Sequence, residues 1–201
     1  LKPVLVSQRV DVLAERGERR DGLDQQLVAF LAACGLLTIP VPNHPWAVER
    51  LFAALPSTAG VVLSGGGDLG AYGGNAPERD ETERRLVREC LTRTLPVLGI
   101  CRGMQCLVHE DGGTLTRIDG HVAVHHAVDG RVGRHVNSYH RWAVTSCGER
   151  WEVLGQAQDG SIEFARRRDA PIVGIMWHPE REKTFAAEDL RLVKETFDSL
   201  R

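Results

Sequence analysis

The sequence predicts a three-layer α/β fold built on a mostly parallel, doubly wound sheet, and three observations carry that prediction. Short β-branched runs alternate with helix-spaced apolar stretches through residue 109, the signature of strands joined by crossover helices. The run Val97-Leu98-Gly99-Ile100 leads straight into Cys101 and then Gly103, so a buried strand turns abruptly into a helix at a cysteine. A chain of 201 residues with 42% hydrophobic content is long enough to cover both faces of such a sheet.

Residues 3–7 read as the first strand. Asp21 is the expected cap of a helix over 22–34, with Leu23, Leu27, Phe30 and Leu31 on one face. A second strand spans 36–41 and stops at Pro42, a helix follows over 46–55, and a third strand over 60–64 runs into Gly65-Gly66-Gly67-Asp68. The helix over 77–93 has proline in its first turn, acids early and arginines late, as the helix dipole prefers. The fourth strand is 96–100 and the next helix 102–109. After Gly112 the pattern changes to short β-rich pieces at 121–128, 134–138, 142–146, 151–157, 161–166 and 171–176, read as hairpins and edge strands appended to the parallel sheet. Thr184 is the expected cap of a final helix whose inward stripe is Leu190, Val193 and Phe197. With no internal repeat or linker, residues 1–201 are expected to form one domain.

Gly99-Ile-Cys-Arg-Gly103 has the G-x-C-x-G form of a nucleophile elbow. A helix N-terminus beneath a thiol favours its thiolate and presents N–H groups to developing negative charge. The segment Gly174-Ile-Met-Trp-His-Pro-Glu180 offers the partners such a cysteine needs: His178 as base and Glu180 as the carboxylate that orients it. The histidines at 121, 125, 126, 135 and 140 show no familiar zinc pattern; His121 and His125 would share one face of a strand, but no metal and no cofactor is expected. Met176 and Trp177 are expected to pack the strand, with Trp177 placed under the ring of His178.

The runs Gly99-Ile-Cys-Arg-Gly-Met-Gln105, Trp177-His-Pro-Glu180, Leu63-Ser-Gly-Gly-Gly-Asp68 and Val136-Asn-Ser-Tyr-His140 together resemble the class I glutamine amidotransferase superfamily, in its free-standing γ-glutamyl hydrolase branch. The resemblance covers most of the chain, to about residue 183. It implies a flavodoxin-like sheet with appended antiparallel strands, and cleavage of a γ-glutamyl amide through a thioester on Cys101. Backbone N–H groups of Arg102 and Gly66 would form the oxyanion hole, and Gln105 would meet the glutamyl head group. The backbone from Ser138 through Tyr139, His140 and Arg141 to Trp142 would line the same pocket.

Chain length, Val4-Leu-Val-Ser-Gln-Arg9, Val136-Asn-Ser-Tyr-His140 and Gly174-Ile-Met-Trp-His-Pro-Glu-Arg-Glu182 narrow the resemblance to the γ-glutamyl-CDP-amidate hydrolases of capsule phosphoramidate biosynthesis. A diphosphate leaving group needs cations, for which Arg9, Arg102, Arg134 and Arg141 are the candidates. Two other readings stay open: hydrolysis of γ-glutamyl-γ-aminobutyrate or a similar amine, and the glutaminase component of a complex with a partner synthetase, which is not favoured. A net charge of −2 gives no reason to expect nucleic acid or membrane partners, and the expected partner is the small-molecule amide itself. Five cysteines, odd in number and without a C-x-x-C pair, fit a reducing, cytoplasmic setting. No signal peptide is visible; the chain opens at Leu1.

Overall fold

The computed structural model describes residues 1–198. The chain opens with β1 (Lys2–Ser7), the hairpin β2 (Arg9–Leu13) and β3 (Glu18–Gly22), α1 (Gln25–Ala33) and β4 (Leu36–Val41). Next come α2 (Pro45–Ala54), β5 (Val61–Leu63), α3 (Pro77–Arg93), β6 (Val97–Ile100) and α4 (Arg102–Glu110). The second half holds β7 (Thr114–Arg117), β8 (Val122–Val128), β9 (Arg134–Tyr139), β10 (Trp142–Ser146), β11 (Trp151–Gln156), β12 (Ile162–Arg167), β13 (Ile172–Ile175) and α5 (Ala187–Asp198).

The main sheet has the order β4-β1-β5-β6-β13-β12-β10-β7, with β11 also pairing with β12. From β4 to β13 every pairing is parallel; beyond β13 the pairings are antiparallel. Side chains alternate across it: Val4 and Val6 point to a layer with Leu27, Phe30, Val193 and Phe197, whereas Leu5 joins Phe52, Leu86 and Met104 on the other face. Helices α1 and α5 therefore cover one face and α2, α3 and α4 the other, which gives the expected three layers.

Several local readings are corrected. Asp24, not Asp21, caps α1, accepting from Gln26 N at 2.8 Å. Asp21 lies in β3, where its carboxylate takes the backbone and side-chain N–H groups of Asn43, each at 2.8 Å. The β2–β3 hairpin has no counterpart among the expected elements because both strands are charged, none of its residues is buried, and β3 holds no apolar side chain to mark a pairing with Val10 and Val12 of β2. The strand over 171–176 is no appendage; as β13 it lies parallel to β6 in the centre of the sheet. β7 leaves little signal in the sequence, since Leu115 is its single buried residue. β8 and β9 pair only with each other among the named strands, as a separate hairpin. Thr184 caps nothing, because α5 begins at Ala187.

The turn from β6 into α4 depends on close packing. A Cβ on Gly103 would lie 2.2 Å from the Leu63 carbonyl oxygen, and one on Gly99 would meet the Gly103 backbone at 2.7 Å. The two glycines let α4 descend directly against β5 and β6, and this fixes where residue 101 is presented.

Candidate active site

Ser7, Leu63, Ile100 and Ile175 end four adjacent parallel strands, and the loops leaving them meet at one edge of the sheet. Between β1 and β5 the strand order reverses, the position where open α/β sheets form a ligand crevice. Two clefts of about 290 and 280 Å³ lie at this edge, and both are lined by Gly66, His178 and Arg181.

Cys101 lines the second cleft. Its backbone has φ 52° and ψ −106°, a conformation that costs a non-glycine residue about 1–3 kcal/mol. Bonds on both sides hold it there: Cys101 N donates to the Ile175 carbonyl at 2.7 Å, and Gln105 N donates to the Cys101 carbonyl at 3.0 Å. The Arg102 N–H, as the first of α4, has no carbonyl four residues earlier in the helix to bind.

His178 follows β13. Asn137 on β9 clamps its backbone from both sides, with Nδ2 donating to the His178 carbonyl at 2.8 Å and Oδ1 accepting from its N–H at 2.9 Å. Nδ1 of the ring is 2.6 Å from Glu180 Oε1, and both side chains are buried. Burial opposes protonation of the imidazole, but the charge on the Cys101 sulfur, the hydrogen bond to that sulfur, and Glu180 outweigh it, and the pKa is pushed up to about 9. A Cβ on Gly65 would come within 2.5 Å of His178 Cε1, so the ring packs directly on the glycine loop. Tyr139 meets it edge to face, with centroids 5.8 Å apart.

The glycine loop is fastened from behind. Arg79, buried on α3, donates to the carbonyls of Ser64 at 2.6 Å, Gly65 at 3.2 Å and Gly66 at 2.6 Å, and to Glu83 at 2.8 Å. Glu83 also accepts from Ser7 Oγ at 2.8 Å and from Arg102, which reaches Asp80 as well. Glu83 resists ionisation through burial, yet Arg102 and Arg79 hold its carboxyl below the usual range. With its carbonyls tied to α3, the loop beyond Gly65 takes left-handed φ angles of 87° at Gly66 and 76° at Gly67.

The other anticipated residues divide. Gln105 lines the cleft, and its amide nitrogen donates to the Trp142 carbonyl at 2.7 Å, fixing that backbone. The Trp142 ring packs tilted against Tyr72, with centroids 4.9 Å apart. Tyr139, His140 and Arg141 line the cleft, whereas Ser138 is turned inward and donates to the His121 carbonyl at 2.8 Å. Arg9 lines the first cleft beside Gly66. Arg102 and Arg134 are corrected as phosphate candidates. The Arg102 guanidinium is enclosed by Asp80 and Glu83, and Arg134 pairs with Asp189 at 2.5 Å over the Trp177 ring. Trp177 lies away from His178, donating to Asp189 at 3.0 Å and packing against Phe164.

Sequence reasoning missed Arg79, Glu83 and Arg181, and it read Gly65 and Asn137 only as members of their motifs, without a role of their own. Residues 79, 83, 86 and 90 share one helical face, and the apolar Leu86 and Cys90 on it are the available sign that Arg79 and Glu83 turn inward. Arg181 stacks over Tyr139 at 4.4 Å and is a cation at the cleft edge.

A sequence model of the family described as Glutamine amidotransferase class-I matches residues 20–197. The γ-glutamyl-CDP-amidate hydrolase of Campylobacter jejuni is 34% identical over 70% of this chain and 70% of its own. A Mycobacterium tuberculosis relative is 32% identical over 84% of the chain, which spans 64% of that protein's length. The γ-glutamyl-γ-aminobutyrate hydrolase PuuD of Escherichia coli is 25% identical over 82% of the chain and 81% of its own. The crystal structure of a Thermoplasma acidophilum protein, described as a GMP synthase subunit, superposes with a TM-score of 0.70 over 98% of this chain and 94% of its own, at 19% identity. That last likeness is one of fold.

Proposed function

The chain belongs to the class-I glutamine amidotransferase family, and on that footing we propose that it is a cysteine-dependent hydrolase that splits a γ-glutamyl amide and releases glutamate. The observation that carries the reading is Cys101, at a strained strand-to-helix turn, sharing a cleft with a His178 imidazole held by Glu180 at 2.6 Å. The Cys101 thiolate attacks the γ-carbonyl carbon, and the oxyanion is met by the N–H groups of Arg102 and Gly66, each such donor worth about 3–4 kcal/mol of barrier. Protonated His178 gives its proton to the departing nitrogen as the C–N bond breaks, leaving a γ-glutamyl thioester. His178, now neutral, takes a proton from water, the hydroxide adds to the thioester carbon, and glutamate leaves as the thiolate reforms. Glu180 keeps the ring oriented and stabilises its cationic form through both halves.

The substrate proposed is γ-glutamyl-CDP-amidate, giving cytidine diphosphoramidate for capsule phosphoramidate synthesis. Similarity to the Campylobacter protein supports it, together with three cations at the cleft edges: Arg9, Arg141 and Arg181. Among the described residues no helix is long and apolar enough to cross a membrane, and a reducing cytoplasm suits the five thiols.

The test is glutamate release from γ-glutamyl-CDP-amidate, γ-glutamyl-γ-aminobutyrate and glutamine, supplied separately to the protein and to Cys101→Ala. A strong preference for the nucleotide amide, abolished in Cys101→Ala, is the expected result. Preference for the γ-glutamylamine transfers the reading to the reaction named for the Escherichia coli relative. Inactivity on all three points to a glutaminase subunit that needs a synthetase. Undiminished turnover by Cys101→Ala removes the mechanism altogether.

A further inference from the structure

Next to the candidate cleft, and sharing with it only His140, three imidazoles and a carboxylate converge. His121 precedes β8, His126 lies on β8, His140 follows β9 and Glu163 lies on β12. His121, His140 and Glu163 are buried and His126 is half-buried. The donor atoms of His121, His126 and Glu163 all lie within 4.8 Å of one another. His121 Nδ1 is 3.4 Å from His140 Nε2 and 3.8 Å from Glu163 Oε1; His140 Nε2 is 3.4 Å from Glu163 Oε1, and His126 Nε2 is 3.6 Å from Glu163 Oε2.

Several of those separations are too long for good hydrogen bonds, yet they approach the ligand-to-ligand edge of a tetrahedron whose centre is about 2.0–2.1 Å from each donor, an edge of about 3.3 Å. Glu163 Oε2 is fully buried without a hydrogen-bond partner, and so is His126 Nε2 facing it, among the described residues. An orphaned buried carboxylate oxygen beside an orphaned imidazole nitrogen is costly unless a further group joins them. The arrangement around His121 also resolves its tautomer. Its Nε2 is 2.8 Å from Asp159 Oδ2, so Nε2 carries the proton and Nδ1 turns its lone pair into the cluster. Asp159 is itself fixed by the N–H and hydroxyl of Ser161, at 3.0 and 2.7 Å. A carboxylate orienting the remote nitrogen of an imidazole is the usual support for a metal-bound histidine.

The backbone is bent in a way that makes this possible. A regular strand would put His121 and His125 on one face. Instead Ala123 takes φ 58° and the β8–β9 register shifts between Val122 and Val124, so His126 joins His121 while His125 is left exposed near Glu182. This bulge explains why sequence spacing shows no metal pattern.

We propose that His121, His126, His140 and Glu163 bind one divalent transition-metal ion of the zinc type, which ties the β8–β9 hairpin to β12. Four protein donors complete a tetrahedron, so the ion has a structural part: it anchors the hairpin whose Asn137 clamps His178 and whose Tyr139 packs on its ring. The inference stands apart from the reading of the substrate, because it is measured as metal binding.

The experiment strips the full-length protein with a chelator and titrates it with Zn²⁺ against a chromophoric competitor, and with Co²⁺ by visible absorption. One Zn²⁺ per chain is expected, with the intense d–d bands of tetrahedral Co²⁺ and no sulfur-to-metal charge transfer. His126→Gln and Glu163→Gln should each weaken binding by about 100-fold or more, while His125→Gln leaves it unchanged. His126 is only half-buried, so its variant keeps the test open if Glu163→Gln fails to fold. Absence of stoichiometric binding, binding equally tight in His126→Gln, or a cobalt–thiolate signature would each overturn the proposal.

Discussion

Gly65 carries no functional group, yet the contact it leaves room for sets the position of His178, the proposed general base. A methyl group there would sit 2.5 Å from His178 Cε1, and the ring, held at Nδ1 by Glu180 on a backbone clamped by Asn137, has little freedom to yield. Gly65→Ala should therefore lower kcat by about 100-fold, the usual consequence of moving a catalytic group by about an ångström; wild-type kinetics from this variant would show that the ring tolerates displacement. The charge state of His178 is equally open to measurement. Its folded pKa of about 9 exceeds the ordinary value of 6.5, so the protonated imidazole favours the fold. That contribution is complete below about pH 6.5 and disappears as pH rises through about 9. Cys101→Ala removes the largest influence raising the value, so NMR titration of the His178 ring should find its pKa well below that of the wild type. An unchanged titration would mean the thiolate is not its counter-charge. Cys101, His178 and Glu180 are legible in the chain because their spacing around strand ends carries the information. Gly65 is not, since its importance lies in a side chain 113 positions away in the sequence.

Among the elements, α3 shows best why parts of the site escape sequence reading. Its limits match the expected ones, residues 77 and 93, but its first two turns bury an arginine and a glutamate where an amphipathic helix would bury leucines. These charges are tolerated because each is multiply bonded, and their work is to hold the carbonyls of the glycine loop. Arg79→Ala would leave Glu83 buried with one cation fewer and three loop carbonyls without their donor. It should cost about 3–5 kcal/mol, read from urea denaturation. Arg79→Lys keeps the charge but lacks the fork, and should restore part of that stability while kcat stays low because the loop is no longer held at every carbonyl. Equal kcat in Arg79→Lys and wild type would assign α3 a purely structural part. The parallel strands β1, β4, β5 and β6 are legible from their apolar runs. β13 misleads because its neighbours in sequence are hairpins, and a four-residue strand bears no mark of whether it pairs parallel or antiparallel.

Across the whole molecule, the cysteines are distributed so that chemistry can be selective. Burial pushes the Cys34 thiol up to about 11 and Cys90 to about 12, and it raises Cys106 and Cys147 as well. Brief treatment of the folded protein with iodoacetamide should thus modify Cys101 first, located by peptide mass spectrometry, with loss of glutamate release in step with labelling. Labelling spread evenly over the five cysteines would mean that the four thiols pushed up by burial react as readily as the one lining the cleft. The order of the strands has a further consequence, in the time domain of synthesis. β6 and β13 are neighbours in the sheet, but six strands are translated between them. On the ribosome, β6 must wait with one backbone edge unpaired, and Cys101 emerges long before His178. The nascent chain thus exposes a strand edge open to pairing with other chains until β13 fills the gap beside β6 and brings His178 to the cleft that Cys101 lines.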